Sequence, residues 1–284
     1  MASKTAVAPS RPALRWHGGK WTLAKWVISH FPAHRCYVEP YGGAASVLLQ
    51  KPRSFSEVYN DLDDDVVALF RVLRNPLQAR RLERLLRLTP FARAEYLEVF
   101  RPARCRVEKA RRLVMRSFMG FAAVSCNTDK VTGFRSNTTR RGTTPAHDWA
   151  AWPEQVAALT ARLQAVVIER RDAVEVIQRH DGAETLFYAD PPYVEDARAG
   201  GKGSYRHEMT DDDHRALSEV LRSVAGYVVL SGYPCELYDR ELYPDWPRVT
   251  KSTHADGARD RTEALWLSPR TWAALRGRQG VMEL

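Results

Sequence analysis

Cysteine is scarce in this chain of 284 residues. Only Cys36, Cys105, Cys126 and Cys235 occur, and no two stand at metal-ligand spacing. A disulfide framework or zinc site is therefore not expected, and the four read as reduced thiols of a cytoplasmic protein. Long apolar runs are also missing: none approaches the ~20 residues that span a bilayer. The opening stretch Met1 to Pro12 is short and polar, lacks the apolar core of a secretory leader, and reads as a loose tail. His17, His207, His214 and His254 include no pair at helical i, i+4 spacing with a third ligand, so no metal is expected. No internal repeat or low-complexity tract is present.

Positive charge is plentiful but uneven. The formal net charge is +9. Between Arg71 and Arg141 stand 18 Lys and Arg against 5 Asp and Glu, so the remainder of the chain is net acidic. Such a segment suits a polyanionic partner; it also fits a set of helices with solvated arginines. The apolar fraction of 44% is that of an ordinary globular protein.

The periodicity predicts an α/β chain. Tyr37-Val38-Glu39-Pro40 ends a buried strand, Tyr41-Gly42-Gly43 turns tightly, and Ala44 to Gln50 starts a helix. Glu57-Val58-Tyr59 forms a second strand, and Asp63 to Arg74 carries apolar residues at helical spacing. This β-α-β-α order opens a doubly wound sheet. Pro76 to Met119 reads as Arg-rich helix. Gly120 to Pro145, rich in Thr, Asn, Gly and Arg, reads as a hairpin with mobile loops. Residues 75–150 are accordingly an insert between two parts of one catalytic domain, 1–74 and 151–284. Beyond it come strands at Val166–Ile168, Thr185–Ala189 and Tyr227–Leu230, helices over Ala173–Arg179 and Asp211–Val224, and an antiparallel pair at Arg248–Thr253 and Ala264–Leu267 along one edge. Asp211-Asp212-Asp213 is read as a helix N-terminus.

The sharpest local signal is Asp190-Pro191-Pro192-Tyr193, directly after a predicted strand. By chance it should arise in a chain this long with a probability on the order of 10⁻³. A turn capped by Asp explains the prolines but not the Tyr. The exocyclic amine of adenine is a poor nucleophile because its lone pair is delocalised into the ring. A carboxylate (Asp190) and a backbone carbonyl (Pro191) aimed at its two hydrogens would favour a tetrahedral nitrogen, with the prolines fixing the turn. An aromatic ring (Tyr193) can stack on a base taken out of its duplex. The turn Glu39-Pro40-Tyr41-Gly42-Gly43 lets backbone approach a ligand closely. Asp61, at the end of the next strand, suits ribose hydroxyls, or else caps the helix that follows. Trp16, Gly18, Gly19 and Lys20 could wrap a small anionic group such as an amino-acid carboxylate. Tyr233 and Tyr238 either flank the site or pack an edge strand.

Trp16-His17-Gly18-Gly19-Lys20, Glu39-Pro40-Tyr41-Gly42-Gly43, Asn60-Asp61 and Asp190-Pro191-Pro192-Tyr193 occur in the order of the alpha-type N6-adenine DNA methyltransferases. The chain resembles that DNA adenine methylase family, phage-borne members included, over nearly its whole length. Tyr205-Arg206-His207-Glu208 and Arg261-Thr262-Glu263-Ala264-Leu265-Trp266 add to the likeness. The resemblance implies a Rossmann-like sheet binding S-adenosylmethionine, with Trp16, Lys20 and Asp61 at the cofactor and Asp190 between cofactor and adenine. It implies a site-specific enzyme acting on double-stranded DNA by direct displacement, without metal, in a bacterial or phage-infected cell, and a monomer by default. It also makes the insert the target-recognition region, with Asn127, Arg135, Asn137, Arg140 and Arg141 as candidates for DNA contact. Departures are mild: Tyr41 stands where phenylalanine is commoner, and Ala44-Ala45 where another glycine often stands. Arg171-Asp172-Ala173 replaces an acidic-aromatic pair, so Asp172 is a weaker cofactor contact and Ala173 supplies no ring. N4-cytosine transfer uses the same amine geometry and is the alternative reaction. A catalytically silent DNA binder is the alternative of another class. Relatives acting on RNA or protein amides usually show Asn where this chain has Asp190.

Overall fold

The fold is described from a computed structural model, over residues 8–121, 126, 131–137, 142–197, 205–254 and 260–282. The strands are β1 Cys36–Glu39, β2 Ser56–Asn60, β3 Val166–Glu169, β4 Thr185–Ala189, β5 Tyr227–Gly232, β6 Arg248–His254 and β7 Asp260–Leu267. They form one sheet in the order β3-β2-β1-β4-β5-β7-β6. The first five run parallel, and β7 and β6 join antiparallel at the edge. Chain order proceeds outward from β1 to β2 and β3, then returns to β4 on β1's other side. The crevice between the C-terminal ends of β1 and β4 is thus the topological switch point, where α/β sheets hold their ligands. The predicted strands and the edge pair are all present.

Helices cover both faces. On one, α1 Ala24–Ser29, α2 Asp64–Arg74, α3 Pro76–Leu88, α4 Arg93–Glu98, α5 Arg106–Met119, α6 Pro145–Ala151 and α7 Val156–Leu163 bury Val66, Phe70, Leu82, Leu113 and Leu159 with Tyr59 and Leu186 of the sheet. On the other, α8 Ala173–Arg179 and α9 Asp211–Ser223 bury Val176, Leu217 and Leu221 against Val38, Val58, Phe187 and Val228. A last helix, α10, spans Pro269–Met282.

Local chemistry sets the helix starts. The Asp63 side chain accepts from the Asp65 and Val66 amides at the head of α2, and Asn75 does the same for α3 ahead of Pro76. Thr210 and Asp213 form a reciprocal capping box on α9, whose first turn is the Asp211-Asp212-Asp213 run, as expected. The helix expected over Ala44 to Gln50 does not form as a regular element. Gly43 and Ala45 take φ of 47° and 54°, which interrupts the ladder, and the segment proceeds as successive turns.

The helices in the first half of 75–150 pack on the main core. Leucines on α3 and α5 enter the same buried cluster as α2 and the sheet. Arg116 pairs with Asp65, and Lys109 with Asp64, across the α5–α2 contact. The arginines of this stretch therefore crown helices that are part of the main core, because each helix also carries a leucine face. After α5, Gly120 bridges Phe134 antiparallel, the Phe121 amide donates to the Gly133 carbonyl (2.6 Å) and the Arg135 amide to the Met119 carbonyl (2.8 Å). These contacts lie within the segment expected to form a hairpin; residues 122–125, 127–130 and 138–141 of it lie outside the described residues.

Candidate active site at the switch point

The sheet's C-terminal edge opens into a cavity of about 350 Å³. The glycine turn after β1 forms its floor. A Cβ on Gly42 would lie 2.1 Å from the Tyr59 ring, and one on Gly43 would lie 2.7 Å from Trp16 Nε1. Glycine is thus required at both positions by close approach as well as by φ at Gly43. The Gly42 amide donates to the Asn60 carbonyl (2.8 Å), and the Tyr59 hydroxyl donates to the Gly43 carbonyl (2.7 Å), which locks the turn onto β2.

Asp61 follows β2. Its Oδ2 accepts from the Gly43 amide and its Oδ1 from the Asp63 amide, both at 2.8 Å. Burial pushes the carboxyl up to about 6 against the pull of those two amides. The helix cap is Asp63, not Asp61. Asp61 is thereby left to face the cavity. Asn60, quoted in the sequence beside Asp61 but given no role there, ties three loops together. Its Nδ2 donates to the Pro40 and Arg171 carbonyls and its Oδ1 accepts from the Arg171 amide. Asp172 faces the cavity while its Oδ1 caps α8. Glu39 is buried, taking bonds from the Tyr37 hydroxyl (3.0 Å) and the Leu48 amide (3.1 Å). Burial lifts it to about 8; these bonds oppose the rise and the nearby Asp190 charge adds to it.

The N-terminal loop closes the opposite wall. Gly18 takes φ 73° and lies so close to Tyr205 that a Cβ would come 2.6 Å from its hydroxyl oxygen. Lys20 is 3% exposed. It donates to the Gly18 carbonyl (2.8 Å), pairs with Asp190 (3.0 Å) and sits 4.7 Å from the centre of the Tyr193 ring. Burial works against its charge, but Asp190 foremost and then Glu263 outweigh that and hold the ammonium above the usual lysine range. In this structure Lys20 answers the Asp190 carboxylate.

Of the residues singled out in the sequence, Trp16, Gly18, Gly19, Lys20, Glu39, Pro40, Tyr41, Gly42, Gly43, Asp61, Asp172, Asp190 and Pro192 line this one cavity, and Ala173 joins them. Tyr193 does not: it is 6% exposed, its hydroxyl bonded to Glu263 (2.8 Å) and within 3.0 Å of Ser231 Oγ, its ring edge-on to Tyr233 (4.6 Å). In this structure the ring is largely enclosed, with Lys20 lying against it. Tyr238 is core, packed on Trp266 and Tyr243. The segment from Tyr205 to Met209, quoted above only as part of the family likeness, walls the cavity. Arg206 pairs with Asp63 (2.7 Å) and Asp65 (3.6 Å), and Tyr205 meets His17 edge-on. The cavity lining carries seven carboxyl groups, at Glu39 (which burial keeps protonated near neutral pH), Asp61, Asp63, Asp172, Asp190, Glu208 and Asp213, against the cations Lys20 and Arg206. Both cations are engaged by carboxylates, so the surface presented to a ligand is acidic.

Among the candidates for DNA contact, Arg135 is buried and donates to the Phe118 carbonyl (2.9 Å), a bond that ties this segment to the end of α5. Asn137 is exposed. Asn127, Arg140 and Arg141 lie outside the described residues. Phe121 is 68% exposed. Among the described residues no cluster of three or more His, Cys, Asp and Glu has the arrangement of a metal site, and no helix is long and apolar enough to cross a membrane.

Comparison with known proteins places these features together. The model of the D12 class N6 adenine-specific DNA methyltransferases matches residues 16–254. A DNA adenine methylase of Vibrio cholerae serotype O1 is 26% identical over 248 residues, covering 82% of this chain and 84% of that protein. DNA adenine methylases of Escherichia coli (strain K12) and Serratia marcescens match over shorter spans. The first is 35% identical over 66 residues, 23% of either chain; the second is 32% identical over 65 residues, 23% of this chain and 24% of that one.

Proposed function

This chain belongs to the D12 class of N6 adenine-specific DNA methyltransferases, and from that premise we propose that it methylates adenine within a short sequence of double-stranded DNA, using S-adenosylmethionine held at the switch-point cavity. The observation that carries the assignment of the site is the meeting of Asp190, the glycine turn and Asp61 on one cavity although they come from three strand ends.

The residues present fit the cofactor. It is a cation at its sulfonium and carries an ammonium, and the lining is acidic. It carries a ribose diol, and Asp61 offers a carboxylate already oriented by two backbone amides. Its flat adenine suits a floor made bare by Gly42 and Gly43. When bound, S-adenosylmethionine supplies an electrophilic methyl group. The protein's part is to prepare the acceptor. Asp190 and the Pro191 carbonyl accept the two hydrogens of the target amine, which localises the lone pair on nitrogen. The Asp190 carboxylate is held for that task by Lys20. The two prolines limit the backbone of the turn to a narrow range, so carboxylate and carbonyl keep their mutual spacing.

DNA reading falls to the insert. Since α3 and α5 belong to the main core, we assign the reading of the duplex to the segment after α5. The exposed ring of Phe121 and the exposed Asn137 support that assignment. The test is long-read modification mapping of DNA from cells expressing the chain beside an Asp190→Ala control. Methyladenine at one short motif, absent from the control, is the expected result. Methylcytosine instead, or equal modification in the control, would overturn the reading.

A further inference from the structure

A carboxylate from the far edge of the sheet reaches this site without a task in the scheme above. Glu263 lies on β7, opposite Lys251 of β6 and next to Ala264, which pairs with Gly232 of β5. It is 7% exposed. Its Oε2 accepts from the Tyr193 hydroxyl at 2.8 Å, and the same hydroxyl lies 3.0 Å from Ser231 Oγ on β5. Two strands therefore grip the tip of Tyr193. The other end of that residue closes the Asp190-Pro191-Pro192-Tyr193 turn, where two prolines leave little slack. Lys20 completes a loop of contacts, paired with Asp190 (3.0 Å) and lying against the Tyr193 ring.

A carboxylate buried this deeply costs free energy unless its partners compensate. Burial raises the Glu263 carboxyl above the usual range; Lys20 pulls it down and Asp190 pushes it up. The ion balance at the site thus sets Lys20, with a smaller share from Arg261, against Asp190 and Glu263. An apolar side chain would fill the same space without that cost, so the carboxylate is best understood by what it holds.

We propose that Glu263 is a positioning residue for methyl transfer, fixing the Asp190–Tyr193 turn by holding the Tyr193 hydroxyl from β7. The inference rests on the adenine-methyltransferase reading of the site. Glu263 makes no contact with the target amine in this scheme; it acts through Tyr193. Loss of the grip lets the turn relax, and a displacement of about 1 Å at the reacting groups costs up to about 100-fold in rate. Cofactor binding at the β1 and β2 end of the cavity is left largely as it was.

The test is a double-mutant cycle on the full chain, with S-adenosylmethionine and genomic DNA lacking adenine methylation. The variants are Glu263→Ala, Tyr193→Phe, the two combined, and Glu263→Gln. We expect Glu263→Ala to lower kcat roughly 30- to 100-fold while the cofactor dissociation constant stays within about threefold. Tyr193→Phe, which keeps the ring and loses the hydroxyl, should fall by a similar factor, and the combined variant should be no worse than either alone. Glu263→Gln retains an acceptor and should stay within about fivefold of wild type. If Glu263→Ala melts below the assay temperature, Glu263→Met replaces it with the same expectation. A kcat within about threefold of wild type in Glu263→Ala, or losses that multiply in the combined variant, overturns the inference alone. Wild-type protein that leaves adenine unmodified overturns the methyltransferase reading and this inference with it.

Discussion

The end of the cavity under β1 and β2 is made of backbone: glycine amides, a carbonyl taken by Tyr59, and a carboxylate oriented by two amides. The end under β4 is made of side chains. Asp190, Lys20, Tyr193 and Glu263 hold one another through contacts between residues far apart in the chain. A backbone-built site is sensitive to any added volume, because a Cβ has nowhere to go. A side-chain-built site is sensitive to lost charge, because each buried partner leaves another uncompensated. The two ends should therefore fail differently.

The largest effect is expected at the side-chain end. Asp190→Ala should lower kcat by about 10³-fold or more, the scale of a lost transition-state contact, and should also lower the melting temperature because Lys20 is left buried without its counter-ion. Adding Lys20→Met should restore the melting temperature without restoring activity. Recovery of activity in the double variant, or no change in melting on losing Asp190, would break the comparison.

At the backbone end, Gly42→Ala places a Cβ 2.1 Å from the Tyr59 ring. Calorimetric titration should show cofactor affinity reduced by about 100-fold, on the order of 3 kcal/mol, or no measurable binding. Asp61→Ala removes the oriented carboxylate but adds no volume. Its cofactor dissociation constant should rise by roughly tenfold, the scale of a lost charge-assisted hydrogen bond. Turnover at saturating cofactor should stay nearly unchanged; an equal fall in kcat would argue that the two ends are not separable.

Asp61 also gives a pH signature. Its carboxyl titrates near 6 in the folded protein, above the ordinary 3.8. The ionised form is the better acceptor for ribose hydroxyls, so cofactor affinity should be full well above pH 6 and decline as pH falls through it. Asp61→Asn should abolish that limb. The effect on stability has the opposite sense. The folded chain holds this proton more tightly than the unfolded one, so the group favours folding most at pH below about 3.8 and loses that contribution as pH rises to about 6. Smallest of all is Arg206→Ala, which removes one clasp between the Tyr205–Met209 wall and α2. A threefold weaker cofactor affinity is the scale of one partly exposed ion pair. A larger loss would move Arg206 from the rim of the site to its centre.

Much of this was legible in the residues alone. Strand, tight turn and helix alternate in the sequence, and strand ends carry Glu39, Asn60 and Asp190, so the sheet class and the edge bearing the site follow from local pattern. Gly42 and Gly43 mark a close approach in the sequence without naming its partner. The helix expected after them failed because Gly43 and Ala45 adopt positive φ to suit the floor of the cavity, a demand that apolar spacing does not record. The Arg-rich stretch suggested a separate insert, since composition reveals the outer face of a helix more plainly than the leucine face that joins it to the core.

By itself the sequence determined the family, the Asp190–Tyr193 turn, the glycine floor and the acidic residue after β2, because each depends on residues adjacent in the chain. Only the tertiary structure decided that Lys20 answers Asp190, that Tyr193 is gripped by Glu263 and Ser231 instead of lying open, that Asn60 ties Pro40 to Arg171, and that Asp63 caps α2 and leaves Asp61 to the cavity. These pairings follow from which strands become neighbours and at what register. Sheet order is fixed by the burial of both faces at once, a property of the whole chain that no local stretch contains.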